Sequence, residues 1–210
     1  MARHAIIIGG NGQIGRATGE RLLRAGCAPH GGCRRPRRRH RHDCIRRLDG
    51  RASVPLKFEG SIFHNSATPN IAAVIEAALE TSFHGPLNAA DPTTPNAREI
   101  AGIIARGLDW NCEFVAVPSD YVTEGVGVSP WSVGDAIVVD MGMAVSIGYK
   151  PVTDYASYAP EVCRWIIAAA QGRHWREVFP VLKVFGEMFD YAAEDNFLKT
   201  STTGIPNPIV

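Results

Sequence analysis

The chain has 210 residues, 45% of them hydrophobic, with 22 basic and 21 acidic side chains for a net charge of +1. That length buries one sizeable core and not two generous ones, and the composition excludes a chain that is disordered throughout. No apolar run approaches the roughly 20 residues a membrane helix requires, and Ile6, Ile7 and Ile8 fall far short of a signal-peptide core, so neither a membrane partner nor secretion is expected.

In chain order, residues 4 to 9 form a candidate buried strand that ends in glycines. An amphipathic helix is expected from Gly12 to about Ala25. Residues 27 to 51 then hold nine arginines (34, 35, 37, 38, 39, 41, 46, 47 and 51) against Asp43 and Asp49, a net +7 that leaves −6 on the remainder. Block charge of that kind is expected to be a solvated, irregular insert that packs no core. Val54 to Phe63 is ambiguous. Ile71, Val74, Ile75, Ala78 and Leu79 recur at helical spacing and predict a helix with that apolar face.

Pro86 to Ala90 is a short strand candidate, and Asp91 to Pro95 reads as a turn stabilised by its Asp-Pro step. Asn96, with Glu99 three residues on, announces a helix carrying Ile100, Ile103, Ile104 and Leu108. Cys112 to Val117 reads as a strand that stops at Pro118, and Asp120 as a helix cap beyond it. A loop with Gly125, Gly127, Pro130 and Gly134 follows, then a helix from Tyr155 to Ala170 and a polar-aromatic tail. Strand and helix alternate, so the expected class is α/β.

The chemical motif is at the start. Ile6-Ile7-Ile8 runs directly into Gly9, Gly10, Asn11, Gly12, Gln13, Ile14 and Gly15, with glycines at G-x-x-G-x-x-G spacing. The first glycine permits a tight turn out of the strand, the second admits a pyrophosphate to the backbone, and the third lets the new helix pack closely. Free amides and the helix dipole at that N-terminus bind the anion. The expected ligand is NAD or NADP.

These residues resemble the amino-terminal fingerprint of the extended short-chain dehydrogenase/reductase family, the NAD(P)-dependent epimerases and dehydratases. Asn70 to Leu79 resembles a helix on that family's substrate side. Leu87-Asn88-Ala89-Ala90-Asp91 and Asn96-Ala97-Arg98-Glu99-Ile100-Ala101 resemble its strand, turn and following helix. Asp140, Gly148-Tyr149-Lys150-Pro151, Tyr155 and Trp165 resemble its closing segment. The resemblance covers about residues 4 to 26 and 66 to 170. It implies a truncated Rossmann-like, doubly wound sheet with a small mixed carboxy-terminal lobe. Residues 1–26 would be the first βα unit, 27–53 the Arg-rich insert and 54–210 the remainder. The implied activity is oxidoreduction, epimerisation or dehydration of a small hydroxylated or keto substrate, such as a nucleotide sugar.

The chain departs from that pattern at the chemistry. The family's proton transfer resembles a Tyr-x-x-x-Lys pair, and no tyrosine here has lysine four positions later: Gly125, Thr153, Ala159, Val162 and Asp195 stand there instead. No catalytic residue is assigned. The second strand, which should end in a ribose-reading side chain, is expected to be missing, as is most of the sheet's middle. Sheet edges left open in this way point to homo-oligomerisation. Read one base later, with codons chosen from those permitted, His30 to Pro36 can spell Thr-Val-Ala-Val-Ala-Asp-Arg, a strand ending in an acid. Residues 28 to 51 are therefore read as an out-of-frame segment, and the genomic +1 frame checks this.

Each remaining constellation has a plainer reading. Cys27, His30, Cys33, His40, His42 and Cys44 match no common zinc spacing and sit among arginines, so no metal is expected. The arginines lack interleaved aromatics, so a nucleic-acid partner is only an alternative function. Cys112 and Cys163 read as core residues, and five cysteines without an export signal are expected as free thiols in the cytoplasm. His64 and His84 read as isolated. Trp165, Trp175, Phe179, Phe185 and Phe189 read as a packing stripe. The expected function is thus an NAD(P)-binding protein with doubtful turnover, or else a non-catalytic remnant serving as a partner module.

Overall fold

The computed structural model describes residues 4–6, 13–26, 28–30, 46–47, 49–123, 125–132, 134–170, 173–178 and 190–201. The class is α/β: among the described residues, helices accompany four short strands, which form two two-stranded parallel sheets. The chain divides into two compact units. The first comprises Met1–Arg39, His64–Thr94 and Ile137–Tyr158; the second comprises His40–Phe63, Pro95–Ala136 and Ala159–Val210.

The first unit opens with β1 (His4–Ile6), α1 (Gln13–Arg24) and β2 (Ala28–His30). β2 pairs parallel to β1, with His4 opposite Ala28 and Ile6 opposite His30. The second strand expected to be missing is therefore present, though only three residues long. Its central Pro29 offers no N–H, which confines a strand to a sheet edge. Helix α1 buries Thr18 and Leu22, one turn apart, and packs against α2 (Thr68–Glu80).

α2 is where expected, but it buries a different face. Asn70, Ala72, Ala73, Val74 and Ala77 are inside, whereas Leu79 is 52% exposed and Ile71, Ile75 and Ala78 are half-buried. Ala73, Val74 and Ala77 pack with Ala144 of α4 (Gly142–Ser146) and with Tyr149, under Leu87, Ala89, Met141 and Ile147. The α2 face is lined with small residues, which lets neighbouring backbone come close; a reading weighted by hydrophobicity favours the isoleucines instead.

Pro86 to Ala90 is not a strand. Side chains take the place of a ladder partner there: Ser66 Oγ donates to the Ala89 carbonyl at 2.5 Å and Asn88 Nδ2 donates to the Asp140 carbonyl at 2.7 Å.

The second unit is built on β3 (Ser53–Lys57), which buries Val54, Pro55 and Leu56 and pairs parallel to β4 (Glu113–Val117). That resolves the ambiguous stretch after residue 53 as a strand. Between them runs α3 (Ala97–Gly107). Its capping box is complete: Asn96 accepts the Glu99 amide at 2.8 Å, and Glu99 Oε2 accepts the Asn96 amide at 2.8 Å. Val54, Leu56 and Ala101 form one cluster with Trp110, Cys112 and Phe114. Val117, Val126 and Phe197 form another. Among the described residues Asp120 caps no helix; it lies in a turn closed by the Tyr121 amide on the Pro118 carbonyl.

α5 (Tyr155–Ala170) has the expected bounds, and α6 (Trp175–Val178) and α7 (Tyr191–Ser201) follow. Trp175 is buried as the packing reading expects; Phe179, Phe185 and Phe189 lie outside the described residues.

The basic segment is the largest correction. Its last arginines are not solvated. Arg46 is 2% exposed and pairs with Glu194 of α7, which is 0% exposed, while Arg51 pairs with Asp195 at 2.6 Å. An arginine in a charge block is buried when a carboxylate from elsewhere in the chain meets it.

Candidate functional site

The candidate cofactor site is the join between β1 and α1. Gly9, Gly10, Asn11 and Gly12 lie outside the described residues. Gln13, Ile14 and Gly15 form the first turn of α1, and Ile14 is 46% exposed. The first four amides of a helix have no partner within it, and they carry the positive end of its dipole. The first turn of α1 holds no acidic side chain that would occupy those amides. At the other end of the helix, Arg21 donates from Nε to Glu76 Oε2 of α2 at 2.6 Å, fixing α1 on α2.

In dinucleotide-binding βαβ units the side chain that reads the ribose follows the second strand. No carboxylate occurs between Ala28 and His42, and the first side chains of opposite sign there are Arg34 and Arg35. A basic residue after this strand suits a 2′-phosphate, whereas an acid suits a free 2′-hydroxyl.

A second polar cluster in the same unit surrounds Asp91. Its Oδ1 accepts the Ala67 amide at 2.6 Å and Asn70 Nδ2 at 2.8 Å, tying residue 91 to the start of α2 rather than to its own Asp-Pro step. Asn70 also donates to the Thr153 carbonyl and accepts from the Val152 and Thr153 amides, so all four of its hydrogen-bonding positions are used.

His64 is not isolated. Its Nδ1 accepts the Val139 amide at 3.2 Å, which leaves Nε2–H to donate to the Asp91 carbonyl at 2.7 Å. Sequence spacing could not show this, because the three segments meet only in the fold.

Proton transfer needs a phenol whose pKa falls, and the perturbed tyrosines move the other way. Burial, with the Asp91 carboxylate nearby, pushes the Tyr149 phenol up. Burial and a hydrogen bond to Asp49 push the Tyr191 phenol far up. A desolvated phenolate facing a carboxylate is the disfavoured form. Neither residue is a ready base.

Among the described residues, no group of three or more His, Cys, Asp or Glu is placed to hold a metal ion. Of the six zinc candidates, His30 ends β2, and Cys27, Cys33, His40, His42 and Cys44 lie outside the described residues. Cys112 and Cys163 are free thiols, the latter fully buried as a core residue and the former half-buried. Among the described residues, no helix is long and apolar enough to cross a membrane.

No protein-family profile and no curated protein matches this chain.

Proposed function

We propose that the amino-terminal unit binds NADP, in preference to NAD, on a truncated Rossmann-like scaffold related to the extended short-chain dehydrogenases/reductases. The observation that carries the reading is the parallel pairing of β1 with β2 across α1. Such a βαβ unit puts the glycine segment at the strand-to-helix turn, where amides and helix dipole meet a pyrophosphate. The arginines after β2, with no carboxylate before Asp43, favour the 2′-phosphate. The substrate class that goes with this reading is a hydroxylated or keto small molecule, such as a nucleotide sugar. Turnover is not expected, since no Tyr-x-x-x-Lys pair exists and the perturbed tyrosines are raised.

The second reading, a non-catalytic binding or partner module, is favoured by that same lack of a proton-transfer pair. The nucleic-acid alternative is weakened because Arg46 and Arg51 are engaged by Glu194 and Asp195. A homo-oligomer would cover the edges of such short sheets, and free thiols fit a cytoplasmic setting.

A thermal melt of the purified chain with millimolar NAD⁺ or NADP⁺ tests the proposal. Binding to the native state alone adds about 2.7 kcal/mol at 100 times the dissociation constant. A midpoint raised by NADP⁺ more than by NAD⁺, and lost in Gly12→Val, is the expected result. A midpoint indifferent to both cofactors overturns it.

A further inference from the structure

We propose that a cavity in the second unit binds a small amphipathic anion, a single carboxylate or phosphate carried on an apolar body. The cavity measures about 830 Å³ and lies where the end of α3, the last turns of α5 and the start of α6 come together. That volume suits a molecule of a few hundred daltons. Leu108, Ile167 and Trp175 give it apolar walls, and Arg47, Arg164 and Arg173 bring guanidinium groups to it.

Two of those guanidiniums stand apart from others in the unit. Arg46, Arg51 and Arg98 are each held by a carboxylate. The Arg47 and Arg164 side chains make no hydrogen bond or ion pair among the described residues. A guanidinium that lines an apolar-walled cavity without a carboxylate partner is available to an anion, and a hydrogen bond to a charged group is stronger than one between neutral groups.

Two acids line the cavity as well, Asp49 and the exposed Asp109. The Asp49 oxygens accept Trp175 Nε1 at 2.8 and 3.0 Å and the Tyr191 hydroxyl at 2.6 Å. Three guanidiniums against two carboxylates leave one positive charge in excess, which opposes a cationic ligand. The ends of α3 and α5, at Gly107 and Ala170, bring partial negative charge to the cavity, which opposes a ligand with several anionic groups. One anionic head with an apolar body satisfies both constraints. This site belongs to the second unit and is independent of the cofactor reading, which rests on the first.

Calorimetric titration of the full chain tests it, with octanoate, octyl phosphate, octanol and octylamine as probes. Octanoate or octyl phosphate is expected to bind saturably at one equivalent, at least tenfold tighter than octanol, with octylamine not binding. The tighter of the two anions names the headgroup. Arg47→Gln and Arg164→Gln should each weaken it about tenfold, while Arg106→Gln, in the same unit but outside the cavity, leaves it unchanged. Arg164 is exposed, so its substitution keeps the fold even if the one at Arg47 does not. Equal affinity for octanoate and octanol overturns the proposal, as does indifference to Arg164→Gln or the absence of saturable binding by either anion.

Discussion

Arg46 Nη1 and Glu194 Oε2 meet at 2.6 Å, both side chains almost wholly excluded from solvent, although 148 residues separate them in the chain. The pair does not stand alone. Arg51 reaches the same carboxylate oxygen at 3.7 Å and Asp195 at 2.6 Å, and its guanidinium lies over the Tyr191 ring, 4.8 Å from the centroid. Helix α7 is thus anchored by charge to the end of the basic segment, and by the packing of Phe197 to Val117 and Val126.

Breaking one side of such a pair strands the other as a buried charge, which costs about 3–5 kcal/mol; replacing both with apolar groups is often neutral. Arg46→Met and Glu194→Leu are each expected to lose that much in urea unfolding, and the double variant to recover most of it. Two single variants that each cost under about 1 kcal/mol would show that the pair is not buried in solution.

Asn70 sits between Asp91 and the backbone of Val152 and Thr153, donating to the first and both donating to and accepting from the second. Asn70→Asp removes both donors and sets a second carboxylate against Asp91. Leaving buried acceptors unpaired costs about 1–3 kcal/mol, more for charged groups, so a loss of about 3 kcal/mol is expected at pH 7. The like charge raises the new carboxyl's folded pKa, so stability should recover as pH falls through that raised value. Unfolding of the variant and its parent at pH 7 and pH 4.5 checks this. A variant within about 0.5 kcal/mol of the parent at pH 7 rules out the arrangement around Asp91.

Asp154 caps α5: its Oδ1 accepts the Ser157 amide at 2.8 Å, and its carbonyl accepts the Tyr158 amide at 3.0 Å. The Ser157 amide bond, more than any other contact, holds the carboxyl below its ordinary 3.8. A carboxyl with a depressed folded pKa contributes stability above its unfolded pKa and loses it as pH falls through the folded one. Asp154→Ala is therefore expected to cost about 1 kcal/mol at neutral pH, with the gap to the parent closing below about pH 4. Melting midpoints from pH 7 to pH 2.5 read this directly, and a gap independent of pH would mean that the cap is not made by the ionised carboxylate.

Local signals were legible in proportion to how local their physics is. The capping box at Asn96 and Glu99, the stop of β4 at Pro118 and the bounds of α5 each follow from residues within one turn of the element they define. What escaped the sequence depends on partners far away. β3 carries a proline at its centre and alternates poorly, and it becomes a strand because Val115 lies opposite Pro55. The inward face of α2 is chosen by alanines and a fully bonded Asn70, not by its most hydrophobic residues. Arg46 reads as solvated charge until Glu194 is brought to it. At the candidate cofactor site, the glycine spacing and the helix after it were readable, while β2 was not, because three residues with a central proline carry almost no strand signal.

Two glycines of α3 should respond oppositely to the same substitution. Gly-to-Ala inside a helix ordinarily gains up to about 1 kcal/mol, since alanine loses less backbone entropy. At Gly102 an added Cβ meets the Arg106 guanidinium, with Nη1 at 3.2 Å and Cζ at 4.0 Å, the far end of a flexible side chain that can move aside. At Gly107 it falls 2.4 Å from both Cβ and Cγ of Pro160, atoms of a closed ring within α5. The ring cannot rotate away, so either helix α3 or helix α5 must shift, at about 1–3 kcal/mol. Gly102→Ala is expected to raise the melting midpoint and Gly107→Ala to lower it, with the double variant additive because the two positions share no partner. A Gly107→Ala protein as stable as its Gly102→Ala counterpart would mean that α3 does not approach Pro160 this closely.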